Sequence, residues 1–308
     1  MKILVTGSRG LVGYSLRKFL DGDVVWLDRT HCDLRESVQV DDVFRMHRPD
    51  IVVHLASRVG GVYENTSKNY LFFYDNVKIN INVIEACRKF NVKRIISVLS
   101  TCIFPDSSFV VYPLTSDQLH NGMCHPSNMG YAYSKRVLHV AGQLLGDSVE
   151  VVNLIPTNLY GENDNYNIDQ AHVIPSIIHK TYLARLGGGK LRIFGSGNAL
   201  RQFLHSDDLA KVICHFICAK LEQPVIDCIV SPPESDEMSI RSVVATVCDE
   251  FGYNHDNVIY DTCYSDGQFK KTTSDAELRK YLPNFEFTPF SRGISQTVKF
   301  FCKGNFRS

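Results

Sequence analysis

Two side chains spaced four residues apart could perform acid–base chemistry together. Tyr131 and Lys135 lie in the segment Tyr-Ala-Tyr-Ser-Lys, at the start of an apolar pattern that predicts a helix through Ala141. A spacing of four residues places both side chains on one face of a helix. Because an ammonium group stabilises a phenolate, we expect Lys135 to lower the pKa of Tyr131 and to make its hydroxyl a proton donor near neutral pH. Tyr133 has no such partner, since residue 137 is valine.

A hydroxyl at the end of a predicted strand could stabilise negative charge on oxygen. Ser100 follows the apolar run 94–99, which predicts a buried strand. The carboxyl ends of strands in an open α/β sheet face the crevice in which ligands bind. A hydroxyl there can donate a hydrogen bond to a carbonyl oxygen as charge develops on it. Taken alone, Ser100 fits a turn residue equally well.

A glycine-rich loop predicts a dinucleotide site. The run Lys2–Thr6 predicts a strand and residues 11–20 predict a helix, with Gly7, Gly10 and Gly13 at their junction. The first glycine permits a tight turn, the second a close approach of a pyrophosphate to the backbone, and the third close packing of helix on strand. The N–H groups at the start of the helix bind the anion. The predicted cofactor contacts in this loop are Gly7, Ser8, Arg9, Gly10, Leu11, Val12 and Gly13.

The end of the second predicted strand, residues 24–27, indicates which dinucleotide binds. Asp28 and Arg29 follow that strand. An acidic side chain there binds the ribose diol of NAD, whereas an arginine accommodates the 2′-phosphate of NADP. Arg9 and Arg29 could clamp this phosphate together, because a guanidinium group binds phosphate through two N–H groups. The pair therefore favours NADP, although each arginine by itself fits an exposed surface charge equally well.

The remaining elements predict the scaffold that positions these groups. Apolar runs at residues 51–55 and 149–154 alternate with helical patterns such as residues 76–90. Strands that are apolar on both faces and alternate with helices indicate a parallel sheet covered on both sides. Beyond Pro156 the alternation loosens, and residues 161–170 are polar and typical of a loop.

This pattern predicts an α/β protein with two parts. We expect a Rossmann-like, doubly wound parallel sheet in residues 1–158 that binds NADP, with a return segment near residues 203–230. Residues 159–308 are expected to form a smaller α/β domain that binds the substrate. The crevice between the two parts is the expected site.

Composition and charge exclude several functional classes. The 33 Lys and Arg residues balance 33 Asp and Glu residues, which argues against a nucleic-acid partner. No apolar run reaches the roughly 20 residues of a membrane span, and the first strand begins at Lys2, which leaves no room for a signal peptide. The ten cysteines are scattered, so free thiols and a cytoplasmic location are expected. Cys214 and Cys218 lack the two-residue gap and the further ligands of a metal site, so we predict core packing and no metal.

Together these motifs resemble a known family. The glycine loop, Ser100 and the Tyr131/Lys135 pair are similar to those of the extended short-chain dehydrogenase/reductases that act on nucleotide sugars. Five further segments narrow the resemblance to the GDP-L-fucose synthase branch of that family. They are residues 54–61, 100–105 (Ser-Thr-Cys-Ile-Phe-Pro), 156–161, 171–175 (Ala-His-Val-Ile-Pro) and 265–271. The matches follow the family's order and span nearly the whole chain.

The resemblance implies two reactions on one sugar ring. Members of this branch are homodimers that convert GDP-4-keto-6-deoxy-D-mannose to GDP-L-fucose with NADPH. Epimerising C3 and C5 beside the C4 ketone requires a base, an acid on the opposite face and stabilisation of the enolate. By resemblance Cys102 is the base, His172 is the acid, and Tyr131 protonates the C4 oxygen. Without the motifs, Cys102 and His172 would each be interpreted as structural residues.

The resemblance also implies contacts with both ligands. Arg201 matches the arginine that binds the diphosphate, Lys180 and Lys271 match further substrate contacts, and Phe194 stands where some members have tryptophan. Without the resemblance, each of these three cations fits a surface charge equally well. Glu162 stands where many members have proline. The other implied cofactor contacts are Val98, Leu99, Ser100, Thr101, Lys135, Pro156, Thr157, Asn158, Leu159 and His172.

Two other functions stay open. The first is the activity of another nucleotide-sugar enzyme, a 4-epimerase or a 4,6-dehydratase. By resemblance, dehydratases usually carry an acidic pair after the Ser or Thr at the strand end, and here Cys102 and Ile103 occupy that place. The second is a non-catalytic NADP-binding sensor, which would be expected to lack Tyr131, Lys135 or the Cys/His pair.

Overall fold

The computed structural model describes residues 1–304, and for residues 62 and 63 it describes the backbone alone. Its central sheet has six parallel strands in the order β10-β5-β4-β3-β1-β2. They are β1 (Lys2–Thr6), β2 (Asp23–Leu27), β3 (Ile51–His54), β4 (Arg94–Val98), β5 (Glu150–Pro156) and β10 (Val225–Val230). In the register, Leu4 pairs with Val25 of β2 and with Val52 of β3.

Helices cover both faces of this sheet and also build a second unit. The helices are α1 (Leu11–Leu16), α2 (Ser37–His47), α3 (Val62–Ser67), α4 (Asn69–Lys89), α5 (Met129–Leu145), α6 (Val173–Gly187), α7 (Ser206–Cys218), α8 (Ile240–Phe251), α9 (Ala276–Tyr281) and α10 (Phe290–Cys302). Short strand pairs complete the second unit. Their strands are β6 (Asn158–Tyr160), β7 (Leu191–Phe194), β8 (Leu200–Arg201), β9 (Phe203–His205), β11 (Met238–Ser239) and β12 (Val258–Asp261).

Three apolar cores hold these layers together. One lies between the sheet and helices α2, α4 and α5, with Phe44 and Leu138 among its buried members. The second lies on the other face, where Leu16 of α1 and Phe216 of α7 pack against the strands. The third core belongs to α6, α8, α10 and the short strands, around Tyr160. The prediction of a doubly wound parallel α/β sheet is therefore confirmed.

The topology creates a crevice where the strand order reverses. From β1 the chain moves outwards to β2, and it then returns to build β3, β4, β5 and β10 on the other side of β1. At such a switch point, the loops that follow the two inner strands separate and leave room for a ligand. The loop after β1 begins at Gly7 and the segment after β3 includes Ala56, so both meet at this crevice.

Several element boundaries differ from the predicted ones. Helix α1 ends at Leu16 and turns continue to residue 19, whereas the apolar pattern predicted helix to residue 20. Helix α4 begins at Asn69, seven residues before the predicted start. Among the residues described, no helix is long and apolar enough to cross a membrane, and no cluster of His, Cys, Asp and Glu side chains could hold a metal ion.

Candidate functional site

One cavity of about 1090 Å³ runs along the carboxyl ends of the central strands and into the second unit. Every predicted site residue except Ser8 lines it. The side chain of Ser8 is buried beneath the glycine loop, where the backbone N–H of Ser8 donates to the carbonyl of Leu27 at 3.1 Å. The structure therefore brings the predicted cofactor, catalytic and substrate residues to one cavity, although they come from distant parts of the sequence.

The glycine loop forms a tight cradle at one end of this cavity. Gly7 has φ of +67°, a conformation that strongly favours glycine, and a Cβ atom there would lie 2.8 Å from the backbone nitrogen of Ala56. A Cβ atom on Gly13 would lie 2.6 Å from the carbonyl oxygen of Ser8. Side chains at these positions would push the loop away from the strand. The cradle therefore fits a dinucleotide pyrophosphate at the start of α1.

The carboxylate of Asp28, which follows β2, is hydrogen-bonded to residues of its own turn. The Asp28 carboxylate accepts hydrogen bonds from the Thr30 hydroxyl at 2.6 Å, the Thr30 N–H at 2.8 Å and His31 Nδ1 at 2.9 Å. Arg9 Nε lies 2.6 Å from it. The hydrogen bond from the Thr30 hydroxyl is the largest of the effects that lower the pKa of Asp28 to about 2. Asp28 thus has little free capacity for a ribose diol, whereas Arg9 and Arg29 are exposed beside the cavity, as a 2′-phosphate site requires.

A buried chain of hydrogen bonds fixes the helix that carries the Tyr/Lys pair. The Thr6 hydroxyl meets His54 Nδ1 at 2.9 Å, His54 Nε2 meets Asn80 Oδ1 at 3.1 Å, and Asn80 donates to the carbonyl of Ser134 at 3.0 Å. Burial, followed by the positive charge of Lys135, lowers the pKa of His54 to about 4, so this imidazole is neutral. The chain joins β1, β3, α4 and α5.

Lys135 is almost completely buried behind the cavity wall. Its side chain is 2% exposed, and the ammonium group donates to the carbonyl of Val98 at 2.8 Å. Burial lowers the pKa of Lys135 to about 8. The nitrogen lies 5.7 Å from the centre of the Tyr131 ring, which confirms that the two side chains share one face of the helix.

The expectation that Lys135 lowers the pKa of Tyr131 is wrong for this structure. Burial raises the pKa of Tyr131, the nearby Cys102 acts in the same direction, and the hydroxyls of Ser100 and Ser57 oppose the increase. The Lys135 ammonium is directed at the Val98 carbonyl instead of the phenol oxygen. Tyr131 is therefore a neutral hydroxyl that keeps its proton, next to two serine hydroxyls.

Cys102 faces the same cavity from the single helical turn Thr101–Ile103. Its backbone N–H donates to the Ser100 hydroxyl oxygen at 3.2 Å, which orients this serine at the end of β4. Lys271 Nζ lies 3.9 Å from the Cys102 sulfur. A cation at this distance stabilises a thiolate.

His172 also lines the cavity and immediately precedes helix α6. Its side chain is exposed to this space, and desolvation by the surrounding protein lowers the pKa of His172. An imidazole and a half-buried thiol therefore open into one cavity.

The far end of the cavity combines cations with aromatic rings. Phe194 stacks on Tyr264 with ring centres 4.0 Å apart, and Lys180 Nζ lies 4.3 Å from the Phe194 ring centre. Because the Tyr264 ring covers one face of the Phe194 ring, the Lys180 ammonium lies on the other face. The guanidinium of Arg201 donates to backbone carbonyls, including that of Gln268 at 2.6 Å. This links Arg201 to the segment 264–271, which also supplies Lys271.

Sequence reasoning missed two residues of this site. Ser57 lies beside the Tyr131 hydroxyl and donates to Asn76 Oδ1 at 3.0 Å, but a lone serine after β3 carries no distinctive pattern. Tyr264 covers Phe194 across a separation of 70 residues, which no local motif reveals.

Comparison with known proteins shows the family to which this architecture belongs. Residues 3–226 match the family described as NAD dependent epimerase/dehydratase. A GDP-L-fucose synthase of Dictyostelium discoideum is 39% identical over 97% of this chain and 94% of its own length. A probable GDP-L-fucose synthase of Drosophila melanogaster is 36% identical over 97% of both. The crystal structure of a GDP-L-fucose synthetase from Naegleria fowleri bound to NADP has a TM-score of 0.90 and 38% identity, covering 98% of this chain and 93% of that one.

The position of Arg9 predicts its effect on cofactor choice. Arg9→Gln should weaken NADPH binding by roughly 10- to 100-fold, because a charge-assisted hydrogen bond contributes about 1.5–3 kcal/mol, and should leave NADH binding almost unchanged. Fluorescence titration with each nucleotide measures both. The control is Arg17→Gln, an exposed arginine that does not line the cavity. Equal losses for NADPH and NADH would contradict a 2′-phosphate site.

Proposed function

This chain belongs to the NAD-dependent epimerase/dehydratase family, and we propose that it converts GDP-4-keto-6-deoxy-D-mannose to GDP-L-fucose, using NADPH. The observation that carries this proposal is the meeting of Cys102, His172 and Tyr131 in the cavity that begins at the glycine loop. A thiol, an imidazole and a phenol around one space are the groups that two epimerisations and one carbonyl reduction require.

NADPH, when bound, supplies the hydride that reduces the C4 carbonyl carbon. The glycine cradle holds its pyrophosphate, and Arg9 and Arg29 hold the 2′-phosphate. Further contacts come from the ends of β4 and β5, including Thr157, whose buried hydroxyl has no hydrogen-bond partner among the described residues. Residues 1–158, together with α7 and β10, thus form the cofactor part, and the rest of the chain supplies the substrate part.

Epimerisation uses the two sides of the cavity. Cys102, as a thiolate beside Lys271, removes the proton from C3 or C5. The electrons move onto the C4 oxygen, where the hydroxyls of Ser100 and Tyr131 donate hydrogen bonds to the enolate. His172 acts in its protonated imidazolium form, which its lowered pKa makes a stronger acid. It delivers a proton to the carbon from the opposite face, which inverts the configuration and leaves a neutral imidazole and a neutral thiol. Proton exchange with solvent restores both groups.

Reduction uses the proton that Tyr131 retains. Because burial raises the pKa of Tyr131, its hydroxyl is neutral when the C4 alkoxide forms. An alkoxide is a stronger base than a phenolate, so the proton moves from Tyr131 to the C4 oxygen. The GDP portion binds at the far end, between Lys180, Arg201 and the Phe194 ring.

The two alternatives fit the site less well. By resemblance, 4,6-dehydratases usually carry an acidic pair after the Ser or Thr at the strand end, and here Cys102 and Ile103 stand there. A non-catalytic NADP-binding sensor would need neither a thiol beside a cation nor a phenol among hydroxyls.

Two substitutions should separate the two reactions. Cys102→Ser should abolish solvent deuterium exchange at C3 and C5 of the keto sugar, because the variant lacks the base. Tyr131→Phe should retain exchange and reduce NADPH oxidation by at least about 100-fold, since the proton donor contributes on that order. NMR follows the exchange and absorbance follows the oxidation. Undiminished exchange in the Cys102 variant would remove the assigned base.

We also propose a homodimer formed through α4 and α5, in a cytoplasmic, reducing compartment. Tyr70, Tyr74 and Ile81 lie along one side of α4 and are 70%, 46% and 42% exposed. Val140 and Leu144, one turn apart on the adjacent α5, are also exposed. A continuous apolar surface of this kind favours association. All ten cysteines are free thiols, as a reducing compartment maintains them.

Charges on this surface should separate the subunits. The double variant with Tyr74→Glu and Leu144→Glu should sediment as a monomer, because association would bury both charges without partners. Analytical ultracentrifugation measures the mass. Met46→Glu, at an equally apolar and 75% exposed position on α2, is the control and should remain a dimer. A dimeric double variant would refute this interface.

A further inference from the structure

A buried arginine stands behind the loop that carries Cys102. Arg136 follows Lys135 on α5, and its side chain is one of the least exposed charged groups of the molecule, at 8%. Its Nε donates to the carbonyl of Ile103 at 2.9 Å, and its Nη1 donates to the carbonyl of Gly122 at 2.7 Å. Arg136 therefore connects α5 directly to the residue that follows Cys102.

The charge of this arginine is not neutralised locally. Within residues 1–304, Arg136 takes part in no ion pair with a carboxylate, and its second terminal nitrogen, Nη2, is buried without a hydrogen-bond partner. Arg94, which is equally buried, pairs with Glu150 at 2.6 Å. Burying a cation that has no carboxylate partner is costly. A contribution to the stability of the fold therefore does not explain why a charged side chain stands at position 136.

The turn that carries Cys102 is contacted by both Arg136 and a second cysteine. The thiol of Cys124 donates to the same Ile103 carbonyl at 3.6 Å. Burial raises the pKa of Cys124 to about 11, while the charge of Arg136 acts in the opposite direction, so its field reaches the Cys124 sulfur. The ring of Tyr133 lies 5.3 Å from the guanidinium carbon and covers it.

We propose that Arg136 is a positioning residue for the Cys102 thiol. It fixes the Ile103 carbonyl to the helix that carries Tyr131, and this sets the position of the Cys102 sulfur relative to the phenol. This inference rests on the proposed function, because proton removal from C3 and C5 is what the position of the thiol serves.

Three variants test it. Arg136→Met removes the charge and both hydrogen bonds and keeps the apolar stem, whereas Arg136→Lys keeps the charge and loses the planar fork of donors. The control is Arg94→Met. Arg94 also donates to backbone carbonyls, those of Phe216, Ile217 and Ala219, but at the opposite end of β4 from the cavity.

Arg136→Met should slow deuterium exchange at C3 and C5 by roughly 100-fold, the effect of a misplacement of about 1 Å. The dissociation constant of NADP⁺ and the KM for the GDP-sugar should change little. Arg136→Lys should be intermediate, and Arg94→Met should retain exchange even if its melting temperature falls as far. Unchanged exchange in Arg136→Met, or an equal loss in Arg94→Met, would overturn the proposal. If Arg136→Met does not fold, Arg136→Lys replaces it in the test. Slower exchange in Arg136→Lys than in the wild type would support the proposal, and unchanged exchange would overturn it.

A second readout does not depend on the sugar reaction. The rate at which iodoacetamide alkylates Cys102, measured by mass spectrometry of the peptide that contains it, should fall about as far as exchange in Arg136→Met and stay unchanged in Arg94→Met. An equal alkylation rate in Arg136→Met and the wild type would reject the role of Arg136. Absence of exchange in the wild type would reject the proposed function instead, and alkylation would still test Arg136.

Discussion

The buried hydrogen bond from Lys135 to the Val98 carbonyl is the interaction on which the whole site depends. It joins helix α5 to the last residue of β4, at 2.8 Å, in an environment from which water is excluded. Ser100 and Cys102 follow Val98 by two and four residues, and Tyr131 precedes Lys135 by one helical turn. The bond therefore sets the distance of the Tyr131 hydroxyl from Ser100, its proposed partner on the substrate oxygen, and from Cys102, the proposed base. An unpaired ammonium here would be costly, so the geometry is strongly enforced.

The same constraint explains why one cavity can serve two reactions. Both reactions place negative charge on the same C4 oxygen, first as an enolate and then as an alkoxide. A neutral phenol beside two serine hydroxyls stabilises either species through hydrogen bonds. In the proposed mechanism the thiol and the imidazole act on carbon, and the cofactor cradle lies at one end of the same cavity.

Local patterns in the sequence were sufficient to predict much of this arrangement. The glycine spacing, the apolar runs and the four-residue spacing of Tyr131 and Lys135 each depend on neighbours in the chain, and the fold they predict is confirmed. The roles of Cys102 and His172 were inferred from family resemblance. The pKa of Tyr131 could not be predicted, because it depends on burial and on which atom the Lys135 ammonium faces. Ser57, Tyr264 and Arg136 were also missed, since their contacts join residues 19 to 70 positions apart or pass through backbone carbonyls.

The most direct test is the stereochemistry of the product made from a single substrate. Incubation of the chain with GDP-4-keto-6-deoxy-D-mannose and NADPH should consume the nicotinamide absorbance and yield GDP-L-fucose, with C3 and C5 inverted and C4 reduced, identified by NMR. A reduced product with C3 and C5 unchanged would show that thiol and imidazole do not act on the ring, and an unconsumed cofactor would show that the phenol does not serve a reduction. Either result would contradict a single cavity for both reactions.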